Sequence, residues 1–217
     1  MTSQKIVFLY ALIGSLIIFN IGIFMGYMLE SSRIEEINSM YASTEIKILD
    51  QITQINSLAV MEFDCDSLMK ENINFANDIF AEARLIQKYE DANILSEEII
   101  SQHKRFDLLR TLFWMNSIKI KEKCDLDFHN VVYLYKYNEP TIEQKSRQGM
   151  ISNLLGELKE KYGEKIMLIP ISGDNDIPSV NLLVEKYNIT EFPVILIDEK
   201  IVITDVNVLN DVEKYLN

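Results

Sequence analysis

The chain is short of the residues on which most protein chemistry depends. It has 217 residues, and only two of them are cysteine and two histidine. His103 and His129 lie far apart, so no two-histidine metal spacing exists, and neither a metal nor another cofactor is expected. His103 falls in a charged segment and is expected to face solvent. Basic surplus is missing as well: the net charge is −12 and the sequence pI about 4.7. A surface this acidic repels phosphate backbones, and no basic stripe overrides that repulsion, which excludes nucleic acid as the expected partner. The same acidity disfavours peripheral docking on anionic lipid. Residues 30–123 contain neither proline nor glycine, and such a gap calls for long helices.

What is present begins with an apolar run. Ile6 to Leu29 carry no charge and are bounded by Lys5 and Glu30. As a helix the run is about 36 Å long at roughly 1.5 Å per residue, enough to cross a hydrocarbon core of about 30 Å. A cleaved signal peptide would have a shorter apolar region and a small-residue cleavage site, whereas here the run continues into Met25-Gly-Tyr-Met-Leu-Glu30. A retained membrane helix is therefore expected. Lys5 precedes it; Glu30, Arg33, Glu35 and Glu36 follow it. The Lys and Arg bias is small, and the very short tail points to a cytoplasmic N-terminus with residues 30–217 outside. Gly22 and Gly26 form a GxxxG, the spacing of a homodimer face, although glycine is common in membrane helices anyway.

Three long helices are expected next. The first, over about 31–62, carries Ile34, Ile37, Tyr41, Thr44, Ile48, Ile55 and Leu58 at three- and four-residue steps. Ile52 lies alongside, and Gln51 interrupts the seam. Such a seam serves a coiled-coil stalk or packing on the other helices. Asp64 or Asp66 then offers an N-cap for a helix to about Tyr89, with Leu68, Phe75, Ile79, Phe80, Ala83 and Ile86 toward the core. After a turn at Glu90–Asn93, a third helix carries Leu95, Ile99, Phe106, Leu109, Leu112, Phe113 and Ile120 and ends near Lys123. Antiparallel packing brings Cys65, at the start of the second helix, back to Cys124, after the third. A disulfide is expected there, which requires an oxidising compartment; two separate buried thiols are the alternative.

The texture changes after Asp127. Strands are expected at Val131–Tyr137, Ile166–Ile171, Phe192–Ile197 and Lys200–Thr204. Helices are expected after Thr141, around Val180–Tyr187 and over Val206–Leu216. Thr141 with Gln144 makes a capping-box pattern. Ile151, Leu154, Leu155, Leu158 and Tyr162 share a face of that helix, and Gly163 sits where a terminating glycine belongs. The order is β-α-β-α-β-β-α, and its alternation suits parallel pairing of the first three strands, with the last two antiparallel. Asn188-Ile-Thr190 is a glycosylation sequon, expected to be poorly accessible at its helix end and to go unused.

This order resembles a minimal thioredoxin fold, with Glu191-Phe192-Pro193 before a buried strand similar to that fold's cis-proline loop. The pattern Arg147-Gln-Gly149, with Asp174-Asn-Asp-Ile-Pro-Ser-Val180 downstream, is similar to small membrane-anchored thioredoxin-like proteins, many from archaea. The resemblance implies a cis Phe192–Pro193 bond. It also implies a C-x-x-C at the start of the first helix, where the helix N-terminus stabilises a thiolate. The matching positions here are Ile142 and Lys145, which attack no disulfide.

The expected organisation is a cytoplasmic tail at 1–5, a membrane helix at 6–29, a helical neck at 30–127 and a thioredoxin-like α/β domain at 128–217. The expected role is a redox-inactive binding or scaffold module outside the membrane, with an unidentified protein partner. The alternative is a thiol-disulfide oxidoreductase using Cys65 and Cys124 as a non-standard pair.

Overall fold

The computed structural model describes residues 2–91 and 97–216, with side chains at all of these except 2–5, 30, 33–38, 40–41, 59, 84–91 and 97–99. The elements run α1 (Thr2–Val60), α2 (Cys65–Asp91), α3 (Glu97–Cys124), β1 (His129–Tyr135), α4 (Ile142–Tyr162), a 3-10 turn (Gly163–Lys165), β2 (Ile166–Ser172), α5 (Pro178–Lys186), β3 (Val194–Ile197), β4 (Ile201–Ile203) and α6 (Asn210–Glu213). They group into two compact units, Met1–Ser43 and Thr44–Asn217.

In the first unit, Ile6–Leu29 is long and apolar enough to cross a membrane, and none of it is buried. Its polar side chains bond to their own helix: Ser15 Oγ donates to the Leu12 carbonyl at 2.9 Å and Asn20 Nδ2 to the Leu16 carbonyl at 2.7 Å. A helix in hydrocarbon requires such internal satisfaction. The Gly22 and Gly26 surface is open, with no atom within 4 Å of an added Cβ at either. The separate helices expected at 6–29 and 31–62 are one, α1, because nothing between Leu29 and Ser31 breaks the backbone ladder.

In the second unit α3 is buried on almost every side. Phe106, Leu109, Phe113, Trp114 and Ile120 are all at most 2% exposed. One side meets α2 and the distal part of α1. Phe75 and Phe113 pack with ring centroids 5.8 Å apart, Gln102 Nε2 donates to Thr44 Oγ1 at 3.1 Å, and Asn116 Nδ2 donates to Gln51 Oε1 at 3.1 Å. Gln51 is thus a member of the buried seam rather than an interruption. Ile52 and Phe80 are exposed instead. The seam positions Ile34, Ile37 and Tyr41, and Ile86, Leu95 and Ile99, lie outside the described side chains.

The sheet order is β2-β1-β3-β4. β1 and β2 are parallel, but β3 is antiparallel to β1, which corrects the expected parallel trio. The chain re-enters from α5 at the C-terminal end of β1, so Val194 pairs with Leu134 and β3 runs back. Alternation read from the sequence cannot distinguish the two directions when a strand is buried on both faces. Val131, Tyr133, Ile166, Ile195 and Ile197 form one core with Ile151, Leu155 and Leu158 of α4 and with Val206, Val212 and Leu216. Val132, Leu134, Met167, Ile169, Ile171 and Leu196 are equally buried, on the face that α3 covers by packing on β1 and β2. The boundary expected at 127/128 therefore runs inside the second unit.

β2 is an edge strand, and its edge is blunted. Gly173 N–H donates to the Tyr135 carbonyl at 2.9 Å, so by alternation the amides of residues 170 and 172 face outward. Position 170 is proline, which has no N–H to leave unpaired, and Ser172 N–H donates to Asp107 Oδ1 at 3.2 Å.

The capping box is formed: Gln144 N–H donates to Thr141 Oγ1 at 3.2 Å, and Thr141 N–H donates to Gln144 Oε1 at 3.0 Å. Gly163, with φ +55, ends α4. The helix expected over 206–216 shrinks to α6, four residues long. Asp211 accepts from the N–H groups of Asn207 and Val208 and so holds the preceding residues in a turn.

Candidate functional site

Three clusters of bonded side chains lie in the second unit, and α3 links them. The first is the disulfide. Asp64 caps α2, accepting from Ser67 N–H and Ser67 Oγ, both at 2.9 Å. These bonds hold its carboxyl below the usual aspartate range. Cys65 follows directly and is bonded to Cys124 with a Cα–Cα distance of 5.7 Å. Lys123 reaches across to the end of α1, donating to the carbonyls of Leu58 at 3.0 Å and Met61 at 2.8 Å. A cation on the last carbonyls is the favoured charge at a helix C-terminus. The bridge and this lysine gather one end of all three helices.

The second cluster surrounds the β3–β4 turn. Asp198 and Glu199 have φ of 47° and 58°, the backbone of a type I′ turn that side chains other than Gly, Asn and Asp adopt with strain. Both are held from outside. Asp198 accepts from Lys121 Nζ at 2.9 Å and the Asn130 N–H at 3.0 Å and bonds His129 Nδ1. Glu199 accepts from Trp114 Nε1 and from Asn130 Nδ2 at 3.2 Å. Partial burial would raise the Asp198 carboxyl, but the bonds from Lys121, His129 and Asn130 outweigh it and hold the group low. Burial dominates at Glu199, whose carboxyl is raised despite its two donors.

The third cluster lies at the opposite end of the sheet. Asp107 is completely buried. Asn175 Nδ2 donates to its Oδ2 at 2.9 Å, Ser172 N–H to its Oδ1, and Arg110 and His103 stand 3.4 and 3.5 Å away. Burial pushes its carboxyl up, against the attraction of His103 and Arg110 and the two hydrogen bonds. His103 is buried, not solvated: its Nε2 lies 2.9 Å from Tyr135 Oη, and its ring stacks on Tyr137 at 3.8 Å between centroids. Asp174 then accepts from the N–H groups of Tyr137 and Asn138, at 2.7 and 3.0 Å. The network ties α3 to the ends of β1 and β2.

Sequence reasoning missed Asp107 and Arg110. The readable signal was the stripe His103, Asp107, Arg110, Trp114, Ser117, Lys121 at alternating four- and three-residue steps. A polar stripe at helical spacing on a helix whose other stripe is Phe106, Leu109, Phe113 and Ile120 indicates two buried faces.

At this same end of the sheet stand Ile142 and Lys145, on the first turn of α4. Ile142 is 91% exposed, and Lys145 is exposed too. Gln148, one turn on, pins α4 to the end of β1. Its Oε1 accepts from the Lys136 N–H at 2.8 Å, its Nε2 donates to the Lys136 carbonyl at 3.1 Å, and its backbone carbonyl accepts from Tyr133 Oη at 3.2 Å. Burial raises the Tyr133 hydroxyl pKa. The Phe192–Pro193 peptide is cis, just before β3. The Phe192 ring covers Gly173, where an added Cβ would lie 2.2 Å from a ring carbon.

The bridge and Ile142 sit at opposite ends of β1. α3 runs from Asp107, beside Ser172 at the C-terminal end of β2, to Lys121, beside Asp198 at the start of β1, and Cys124 lies beyond that. β1 alone is about 20 Å long at roughly 3.3 Å per residue. Among the described residues no group of three or more His, Cys, Asp or Glu is placed to hold a metal ion. No protein-family model matches the chain, and no curated protein matches it.

Proposed function

We propose that the chain is a single-pass membrane protein that displays a redox-inactive, thioredoxin-like domain as a binding or scaffold module outside the membrane. The observation that carries this reading is Ile142. In the resemblance it stands where the first cysteine of the dithiol pair belongs, and it presents an apolar side chain 91% exposed at the start of a capped helix. A strand order of β2-β1-β3-β4 with β3 reversed, and a cis proline preceding β3, support the thioredoxin-like part of the reading. The disulfide supports an oxidising location for residues 30–217. The distance of that bridge from the α4 N-terminus supports a stapling role over a catalytic one, because a thiolate at Cys65 or Cys124 would face neither the cis-proline loop nor the first turn of α4.

A photo-crosslinking amino acid at position 142, in the full chain in its native membranes, tests the module. The expected result is one discrete protein adduct that disappears when the probe is moved to Val202, an exposed position on the far edge strand. Absence of any adduct from position 142, or equal adducts from both positions, overturns it.

A further inference from the structure

The sequon Asn188-Ile-Thr190 closes α5 and leads into the Phe192–Pro193 loop. The helix end accounts for part of it. Asn188 has φ +52°, and its N–H donates to the Glu185 carbonyl at 3.0 Å. Asparagine is among the few residues suited to that left-handed position. Helix termination does not account for Thr190, which lies beyond the left-handed residue. Contrary to the poor access expected from the sequence, both Asn188 and Thr190 are exposed, while Ile189 between them is buried and anchors the turn. No hydrogen bond within the described residues engages the Asn188 carboxamide or the Thr190 hydroxyl. Both reactive groups of the sequon therefore face solvent on a fixed turn, in a unit whose only cysteines are paired.

We infer that Asn188 is an N-glycosylation site, an inference that rests on residues 30–217 lying outside the membrane as proposed above. The glycosyl donor is a lipid-linked oligosaccharide diphosphate. The Asn188 carboxamide nitrogen forms a bond to the anomeric carbon as the bond from that carbon to the diphosphate oxygen breaks. One amide proton is lost, the lipid diphosphate leaves, and nothing is oxidised or reduced. The Thr190 hydroxyl is the group by which a transferase recognises the acceptor. A glycan there stands five residues before Pro193, beside the loop that a thioredoxin-like protein uses to hold peptide, and so restricts which partners reach that end of the sheet.

The test is mass spectrometry of the full chain recovered from the membranes of its native cells, non-reduced and blocked with a thiol alkylating agent. Thr190→Ala and Thr190→Ser variants are made in the same cells. The expected result is a sugar on the peptide containing Asn188, absent in Thr190→Ala, present in Thr190→Ser, with Cys65 and Cys124 unalkylated in all three. A formed disulfide with a bare Asn188 overturns the glycosylation inference and leaves the location intact. Two alkylated thiols with a bare Asn188 overturn the location as well. A sugar that survives Thr190→Ala also refutes the inference, because the modification would not depend on the sequon.

Discussion

Opening the Cys65–Cys124 bridge gives the cleanest number for what holds the second unit together. The bridge closes a loop with a sequence separation of 59. The chain-entropy model then assigns the cross-link about 14 cal/mol/K of lost unfolded-state entropy, or about 4 kcal/mol at 25 °C. That is a large share of the roughly 5–15 kcal/mol by which a domain is stable. The loop contains the whole of α2 and nearly all of α3, so the reduced unfolded chain regains freedom over both helices. The Cys65→Ala, Cys124→Ala double variant, in detergent, is compared with the oxidised protein by urea unfolding. The probe is the fluorescence of Trp114, the single tryptophan and completely buried. With a slope of about 2 kcal/mol per molar urea, the midpoint falls by about 2 M. A fall equivalent to less than about 1 kcal/mol refutes the reasoning, since a native bridge that constrains so long a loop cannot then be relieving the unfolded chain of its freedom.

Three further outcomes follow from the other clusters. Asp107→Ala strands the Arg110 guanidinium, the Ser172 N–H and the Asn175 carboxamide in a buried site, and the same unfolding assay is expected to register a loss of about 3–5 kcal/mol. Gly173→Ala drives a methyl into the Phe192 ring, for an expected loss of about 1–3 kcal/mol; Phe192→Ala in the same chain should restore tolerance of the methyl. Asp198 has its carboxyl held below the ordinary aspartate value. As pH falls the unfolded chain takes up that proton first, so the stability Asp198 contributes is present above about pH 4 and is lost below it. Asp198→Asn should therefore flatten the acid limb of stability against pH, measured between about pH 5 and 3.

How far the sequence reached depended on the kind of constraint. The membrane-spanning length, the capping box at Thr141 and Gln144, the helix end at Gly163 and the pairing of Cys65 with Cys124 were legible because each is written in a few neighbouring residues or in the only two of their type. The direction of β3 was not legible, since Val194–Ile197 is buried on both faces and its pattern is the same run either way. His103 and Gln51 were misread for one reason: each is a polar residue on a helix with two buried faces, where local polarity looks like solvent exposure. Phe80 erred the other way, an aromatic assigned to the core by spacing but lying on the outer side of α2. The stretch Val206–Leu216 reads as helical, yet Asp211 bonds the amides ahead of it and leaves α6 a single turn. At the candidate site, Ile142 and Lys145, which the resemblance matches to the dithiol positions, were picked out by counting back from Gln148 and Gly149, and both stand exposed on the first turn of α4. Asp107 was legible only as one member of a polar helical stripe, because what it bonds, Ser172 and Asn175, is more than sixty residues away.

The proposal stands or falls on whether the α4 N-terminus is a thioredoxin-like site that lacks its dithiol. Restoring it is the direct test: Ile142→Cys with Lys145→Cys in the full chain, followed by thiol titration and by reduction of a soluble peptide disulfide supplied with a dithiol reductant. The account predicts that the new pair forms its own disulfide, that it turns over the peptide substrate, and that the unaltered protein does neither. Two free thiols without turnover in the variant would contradict it, as would turnover by the unaltered protein through Cys65 and Cys124.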